Sequence, residues 1–178
     1  MPARRARWRT LLAAPGFVDA PFRRILCPVD FSPTSFAALR RAARLAGSLG
    51  ASLTLLHVYH TPGYALPEGV ILPNVNELDR LFSWIDEQLA AWRREARALG
   101  ADAVVTETAQ GAPWQTIVDR AAAGRYDLVV MGTHGHTGLK HVLLGSVTER
   151  VVRHASCPVL TVRAPDETAR PELPASPR

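Results

Sequence analysis

The sequence predicts an α/β protein, an open five-stranded parallel sheet with helices packed on both faces. Three observations carry this reading. Strand-like and helix-like segments alternate strictly between residues 23 and 164. The strand segments are apolar runs with little alternation, as expected of strands covered on both sides. A glycine-rich segment follows the fourth strand and leads straight into a helix, the kind of strand end where such sheets bind ligands.

The elements follow in order. Arg24-Ile25-Leu26-Cys27-Pro28-Val29 is the first strand. Ser32-Pro33 then supplies an N-cap and a first-turn proline. Phe36, Leu39, Ala43 and Ala46 recur at helical spacing, and Gly47 or Gly50 ends the first helix. Leu53 to Tyr59 is the second strand, and a proline- and glycine-rich loop runs from His60 to Pro73. One apolar face, from Leu78 through Ile85, Leu89 and Trp92 to Ala96, marks a long helix between Asn76 and Leu99, closed by Gly100. Ala103 to Thr108 is the third strand. Pro113 to Ala123 is a helix stopped by Gly124, and Tyr126 to Met131 is the fourth strand. Ser146 to Ala155 forms the last helix and Pro158 to Val162 the fifth strand. His57, inside a strand, is expected to be a structural residue. Trp84 and Trp92 read as packing residues.

With 178 residues, 47% hydrophobic and 21% charged, the chain is expected to form one globular domain with a core of its own. The formal charge of +5 is concentrated at one end. Arg4, Arg5, Arg7, Arg9, Arg23 and Arg24 face only Asp19 within the first 24 residues, whereas the rest holds 15 basic and 15 acidic side chains. A nucleic-acid-binding domain would carry its excess on the folded part, so no nucleic-acid partner is expected. Residues 1–22 are read as a basic, disordered extension and 165–178 as a disordered tail. The arginines ahead of Leu11-Leu12-Ala13-Ala14 resemble the start of a signal peptide, but Pro15-Gly16 cuts the apolar stretch short. No run reaches the ~20 apolar residues of a membrane span. Cys27 and Cys157 lack metal-like spacing and are expected to be reduced thiols. A cytoplasmic protein is the expectation.

The glycine-rich segment is the informative one. Gly132, Gly135 and Gly145 precede Ser146 at the start of a helix. Glycines let backbone amides crowd around an anion, and a helix N-terminus adds unpaired N–H groups and positive dipole. A Walker A loop is absent, and a dinucleotide fingerprint would follow the first strand, not the fourth. What remains is Gly-x2-Gly-x9-Gly-Ser. In this motif, in the Pro28-Val29-Asp30 turn and in Ser156-Cys157-Pro158-Val159-Leu160, the chain resembles the universal stress protein family, in its ATP-binding branch. The resemblance spans roughly Arg23 to Arg163.

It implies a Rossmann-like sheet of order 3-2-1-4-5 with an adenine nucleotide, ATP accompanied by Mg²⁺, in its crevice. Pro28, Asp30, Leu53 and Met131 would border adenine and ribose. Gly132, Gly135, Gly145, Ser146 and Val147 would hold phosphates through amides and a hydroxyl. It also implies a homodimer paired through the last strand. Competing readings stay open: Ser146 and Glu149 form a capping-box pattern, and Asp30 also suits a turn. His134, His136 and His141 suggest a metal, but no thiolates or carboxylates stand at ligand spacing. With no arginine finger or evident base in the loop, a regulatory ATP-binding protein with slow hydrolysis at most is expected, and no catalytic residue is assigned. The alternative is a nucleotide-free dimeric interaction module of the same fold.

Overall fold

The computed structural model describes residues 22–60, 64–66, 69–71, 75–134 and 144–163. Residues 1–21 of the N-terminal extension, the C-terminal tail, Gly135, His136 and His141 lie outside these residues. The first half comprises β1 (Arg24–Pro28), α1 (Pro33–Leu49), β2 (Ser52–Tyr59), β3 (Tyr64–Leu66), β4 (Gly69–Ile71) and α2 (Val75–Ala98). The second half comprises β5 (Val104–Gln110), α3 (Pro113–Ala123), β6 (Leu128–Gly132), α4 (Ser146–His154) and β7 (Val159–Val162).

Five strands form one sheet in the order β5-β2-β1-β6-β7. Every pairing within it is parallel. Numbered by the five long strands this is the expected 3-2-1-4-5. The segment read as a loop contains a correction: β3 and β4 pair antiparallel, with Tyr64 opposite Ile71 and Leu66 opposite Gly69. Strands of three residues are too short to show a period in sequence, and the surrounding prolines and glycines point to loop.

Each strand divides its side chains between two cores. Ile25, Cys27, Leu53, Leu55 and Val130 pack with α1 and α2 on one face. Leu26, Leu56, Val129 and Met131 pack with Ile117 of α3 and Val151 of α4 on the other. Both sets are buried, which is why the strands read as unbroken apolar runs. No helix among the described residues is long and apolar enough to cross a membrane.

The helix ends follow their sequence signals with instructive exceptions. Ser32 caps α1 by accepting the Ser35 N–H at 3.2 Å, and Pro33 occupies the first turn. The helix passes through Gly47 and ends at Gly50, whose φ of 65° is left-handed. Gly47 is needed for space: a Cβ there would stand 2.4 Å from the Gly100 carbonyl oxygen. Gly124 closes α3 at an ordinary φ of −80°. Its role is also steric, because a Cβ would lie 2.3 Å from the Tyr126 ring. The left-handed residue at that turn is Arg125 (φ 50°). Tyr126 in turn donates its hydroxyl to Thr54 Oγ1 at 2.9 Å, tying the turn to β2.

Both cysteines are free, and burial pushes the Cys27 thiol up to about 12. His57 is structural, as expected. Its Nδ1–H donates to the Val29 carbonyl at 2.9 Å, extending the link between β2 and β1 beyond Pro28. Phe31 lies against its ring with centroids 4.6 Å apart. Burial lowers the His57 pKa from 6.5, outweighing the opposing effects of the Val29 hydrogen bond and the Asp30 charge.

Two outcomes follow. Gly47→Ala should lower unfolding free energy by ~1–3 kcal/mol, the usual cost of overpacking, outweighing a helix-propensity gain of about 1 kcal/mol; urea titration measures the sign. For His57, the folded pKa lies below the unfolded value. The neutral ring's stabilisation is therefore complete above pH 6.5 and is lost as pH falls from 6.5 toward the folded pKa. Unfolding free energies from urea titrations between pH 7.5 and 5 should fall less steeply with falling pH for His57→Gln than for the wild type. Equal slopes would contradict this role.

Candidate functional site

β1 and β6 are hydrogen-bonded neighbours, with Ile25 opposite Leu128 and Leu26 opposite Val129. Strand order reverses between them: β2 lies beyond β1 and β7 beyond β6. The connecting helices leave on opposite faces, so the carboxyl ends diverge and open a crevice. It encloses ≈ 250 Å³ and is lined at its base by Pro28, Asp30, Met131 and Gly132. The two strand ends singled out in sequence therefore meet.

The β1 end is held by a tight polar turn. Asp30 Oδ1 accepts the Ser32 N–H at 3.0 Å, and the Asp30 N–H donates to Ser35 Oγ at 3.4 Å. Between them Phe31 adopts a left-handed backbone (φ 63°), which costs a residue with a Cβ roughly 1–2 kcal/mol. Its ring offsets this by packing on His57 and meeting Trp84 and Trp92 edge-on, at 5.2 and 5.3 Å. Asp30 thus faces the crevice while Phe31 joins the α1–α2 core. Asp30 therefore holds the turn and also lines the crevice.

The β6 end is tied to α4. Gly145 N–H donates to the Thr133 carbonyl at 2.8 Å, and the buried Thr148 Oγ1–H donates to the Gly132 carbonyl at 2.8 Å. Gly145 is the N-cap residue (φ −68°, ψ 156°), and α4 has no side-chain cap. This rules out the competing capping-box reading of Ser146 and Glu149. Ser146 sits one position late, already inside the helix, so its hydroxyl does not reach the first-turn amides. Glu149 pairs with Arg153 at 2.7 Å instead. The Ser146, Val147 and Thr148 amides precede the first intrahelical bond, from Glu149 N–H to the Gly145 carbonyl. All three residues line the crevice.

The two described glycines act sterically. A Cβ on Gly132 would stand 2.9 Å from Thr34 Cγ2 and 3.1 Å from the Thr34 backbone, so only glycine lets α1 approach the strand end. A Cβ on Gly145 would stand 3.3 Å from the Thr133 oxygen. Its N–H is already engaged, so the amides that remain belong to Ser146 and Val147, with Thr148 as a further donor.

Leu53 is a second correction. It is fully buried, second in β2, and packs in the α1–α2 core rather than at the crevice. It lies at the wrong end of the strand and on the wrong face. Leu56 and Val58, on the opposite parity and nearer the carboxyl end, line the site together with Pro113 and Ile117. Alternation along β2 could have excluded Leu53, given knowledge of which face carries the crevice. Val29, Ser35 and His134 also line it, and His134 Nδ1 is hydrogen-bonded to Thr133 Oγ1 at 3.1 Å. Among the described residues no group of three or more His, Cys, Asp or Glu side chains is placed to hold a metal.

Comparison with known proteins agrees with this geometry. The family model for the Universal stress protein family matches residues 21–163. Universal stress protein MJ0531 of Methanocaldococcus jannaschii is 36% identical over 145 residues, covering 81% of this chain and 84% of that one. MJ0577 from the same organism is 32% identical, covering 80% and 95%. Among solved structures, UspA from Lactobacillus plantarum superposes with a TM-score of 0.70 at 29% identity, covering 82% of this chain and all of that one. A universal stress protein solved in complex with cAMP superposes at 0.62 with 26% identity, covering 81% and 98%. By sequence, strand order and extent of match, the chain belongs to the universal stress protein family.

Proposed function

We propose that the crevice binds an adenine nucleotide, ATP in the first instance, and that the protein acts as a regulatory stress-response protein rather than as an efficient enzyme. The observation that carries this is the uncapped start of α4. Its first-turn N–H groups have neither a side-chain cap nor an intrahelical acceptor, and they line the crevice. Such a helix end favours phosphate through both its donors and its dipole. Ser146 and Val147 hold phosphate oxygens; Gly132, Gly135 and Gly145 keep side chains out of the way. Pro28, Leu56, Val58 and Met131 supply an apolar wall for the base, and Asp30 meets the ribose or base. A relative at 26% identity binds cAMP, which supports the adenine class.

Mg²⁺ enters with the nucleotide. Asp30 is the one carboxylate lining the described crevice, so phosphate oxygens supply most ligands, as is usual for this ion. No arginine or lysine lines the described crevice. The described lining residues therefore supply none of the cationic stabilisation that fast phosphoryl transfer uses. Dimerisation belongs to the same reading: β7 is an edge strand with Leu160 40% exposed, and edges of this kind are commonly paired or covered. Two free thiols suit a reducing, cytoplasmic setting.

Ser146→Pro tests the phosphate role without breaking the fold. Proline is favoured at the first helical position, and Gly145 has the extended backbone that a following proline requires. Losing one amide donor to a charged group costs ~1.5–3 kcal/mol. Calorimetry should therefore show ATP affinity reduced about tenfold or more, with the urea midpoint unchanged. Wild-type protein that binds neither ATP nor cAMP would establish the nucleotide-free module instead. Turnover of Mg-ATP should stay well below about 1 per second, the low end of typical enzyme rates. Light scattering at concentrations well above micromolar should give a dimer mass; a monomer would exclude pairing through β7.

A further inference from the structure

A second concavity lies on the sheet face that carries α1, beside β7. It encloses ≈ 920 Å³ between the outer side of α1 and the sheet edge. One wall presents Arg40, Arg41 and Arg44 of α1, and Arg163 closes the β7 end. All four are exposed. Helix α1 contains no acidic residue, and among the described residues no acidic side chain lines the groove and none of the four arginines forms an ion pair. Arg40 and Arg44, one turn apart, repel each other. Such a concentration of positive charge stands out on a body whose basic and acidic side chains sum to no net charge. The opposite side of the groove is apolar: by alternation from Val159, Leu160 and Val162 face α1, and Phe36 and Leu45 close the floor.

We propose that this groove docks an extended peptide segment of a partner protein in which acidic and apolar residues alternate. The spacing carries the chemistry. Arg40 and Arg44 are separated by about 6 Å along the helix axis. Side chains at i and i+2 of an extended chain lie roughly 6.6 Å apart on one face, so two carboxylates meet the two guanidinium groups in register. The intervening residue points the other way, onto Leu160 and Val162. Guanidinium groups pair with carboxylates bidentately, and Arg163 fixes the end of the segment. A nucleic acid would use the arginines but leave the aliphatic side of the groove without a partner. The groove shares no lining residue with the nucleotide crevice, so failure of nucleotide binding leaves it standing, while it borders the β7 edge of the proposed dimer.

The test is fluorescence anisotropy on the full chain with a labelled peptide of four Glu-Leu repeats. Saturable binding is expected, with half-saturation below about 100 μM. It should weaken severalfold when salt rises from about 50 to 300 mM, as screened surface charges do. A Lys-Leu peptide should not bind. Arg40→Glu/Arg44→Glu should weaken binding at least tenfold with an unchanged circular dichroism spectrum; Arg163→Glu, outside any helix, serves if the double variant misfolds. Binding that survives charge reversal overturns the proposal, as does a single-stranded oligothymidine that binds as tightly as the peptide. A chain ending at Arg163 that binds the peptide tenfold more tightly would assign the groove to residues 164–178 of the same chain. Loss of dimer mass in Arg40→Glu/Arg44→Glu would assign it to a second copy, and either result excludes a partner protein.

Discussion

The pairing of β1 with β6 is the contact on which the rest of the molecule depends, because it joins two strands whose onward connections run to opposite faces of the sheet. After β1 the chain rises into α1 and returns as β2; after β6 it returns through α4 as β7. Parallel crossovers are almost always right-handed, so a reversal of strand order places α1 and α4 on different faces. Two helix N-termini then approach one crevice from two sides. They end differently. The start of α1 is closed by its own side chains, with Ser32 accepting from Ser35 and Asp30 accepting from Ser32. The start of α4 has glycine at its cap and no side-chain bond. One end is satisfied internally, and the other is available to a ligand.

The glycines illustrate how one residue type serves separate physical needs. Gly132 is required by the approach of Thr34, Gly47 by the Gly100 carbonyl and Gly124 by the Tyr126 ring. Gly50 alone among the helix-ending glycines of α1 and α3 supplies a left-handed turn. At the crevice, glycine keeps the β6–α4 junction narrow while neighbouring residues offer their amides. The phosphate-binding reading therefore rests on the residues after Gly145 as much as on the glycines themselves.

Charge is distributed along similar lines. The described crevice offers amides, hydroxyls, the His134 imidazole and one carboxylate but no guanidinium or ammonium group. The arginines of α1, which form no ion pair among the described residues, stand on the other face, about the groove beside β7. The helix-start amides and the exposed arginines thus stand apart, and α1 touches both regions: Ser35 lines the crevice and Arg40 to Arg44 the groove.

Local signals in the sequence determined the element types, the parallel class of the sheet and the strand ends that form the site. Unbroken apolar strands, Ser32-Pro33 before α1 and glycines after the helices each act over a few residues, so each is legible locally. The adjacency of β1 and β6 is a pairing across about a hundred residues, and composition and spacing leave it open; it became an expectation only through family resemblance. Tertiary structure alone decided which parity of β2 faces the crevice, exchanging Leu53 for Leu56 and Val58. It also decided that Ser146 lies inside α4 rather than capping it. Both outcomes depend on how helices seat against the sheet, where one residue of register moves a side chain from core to site or from cap to first turn.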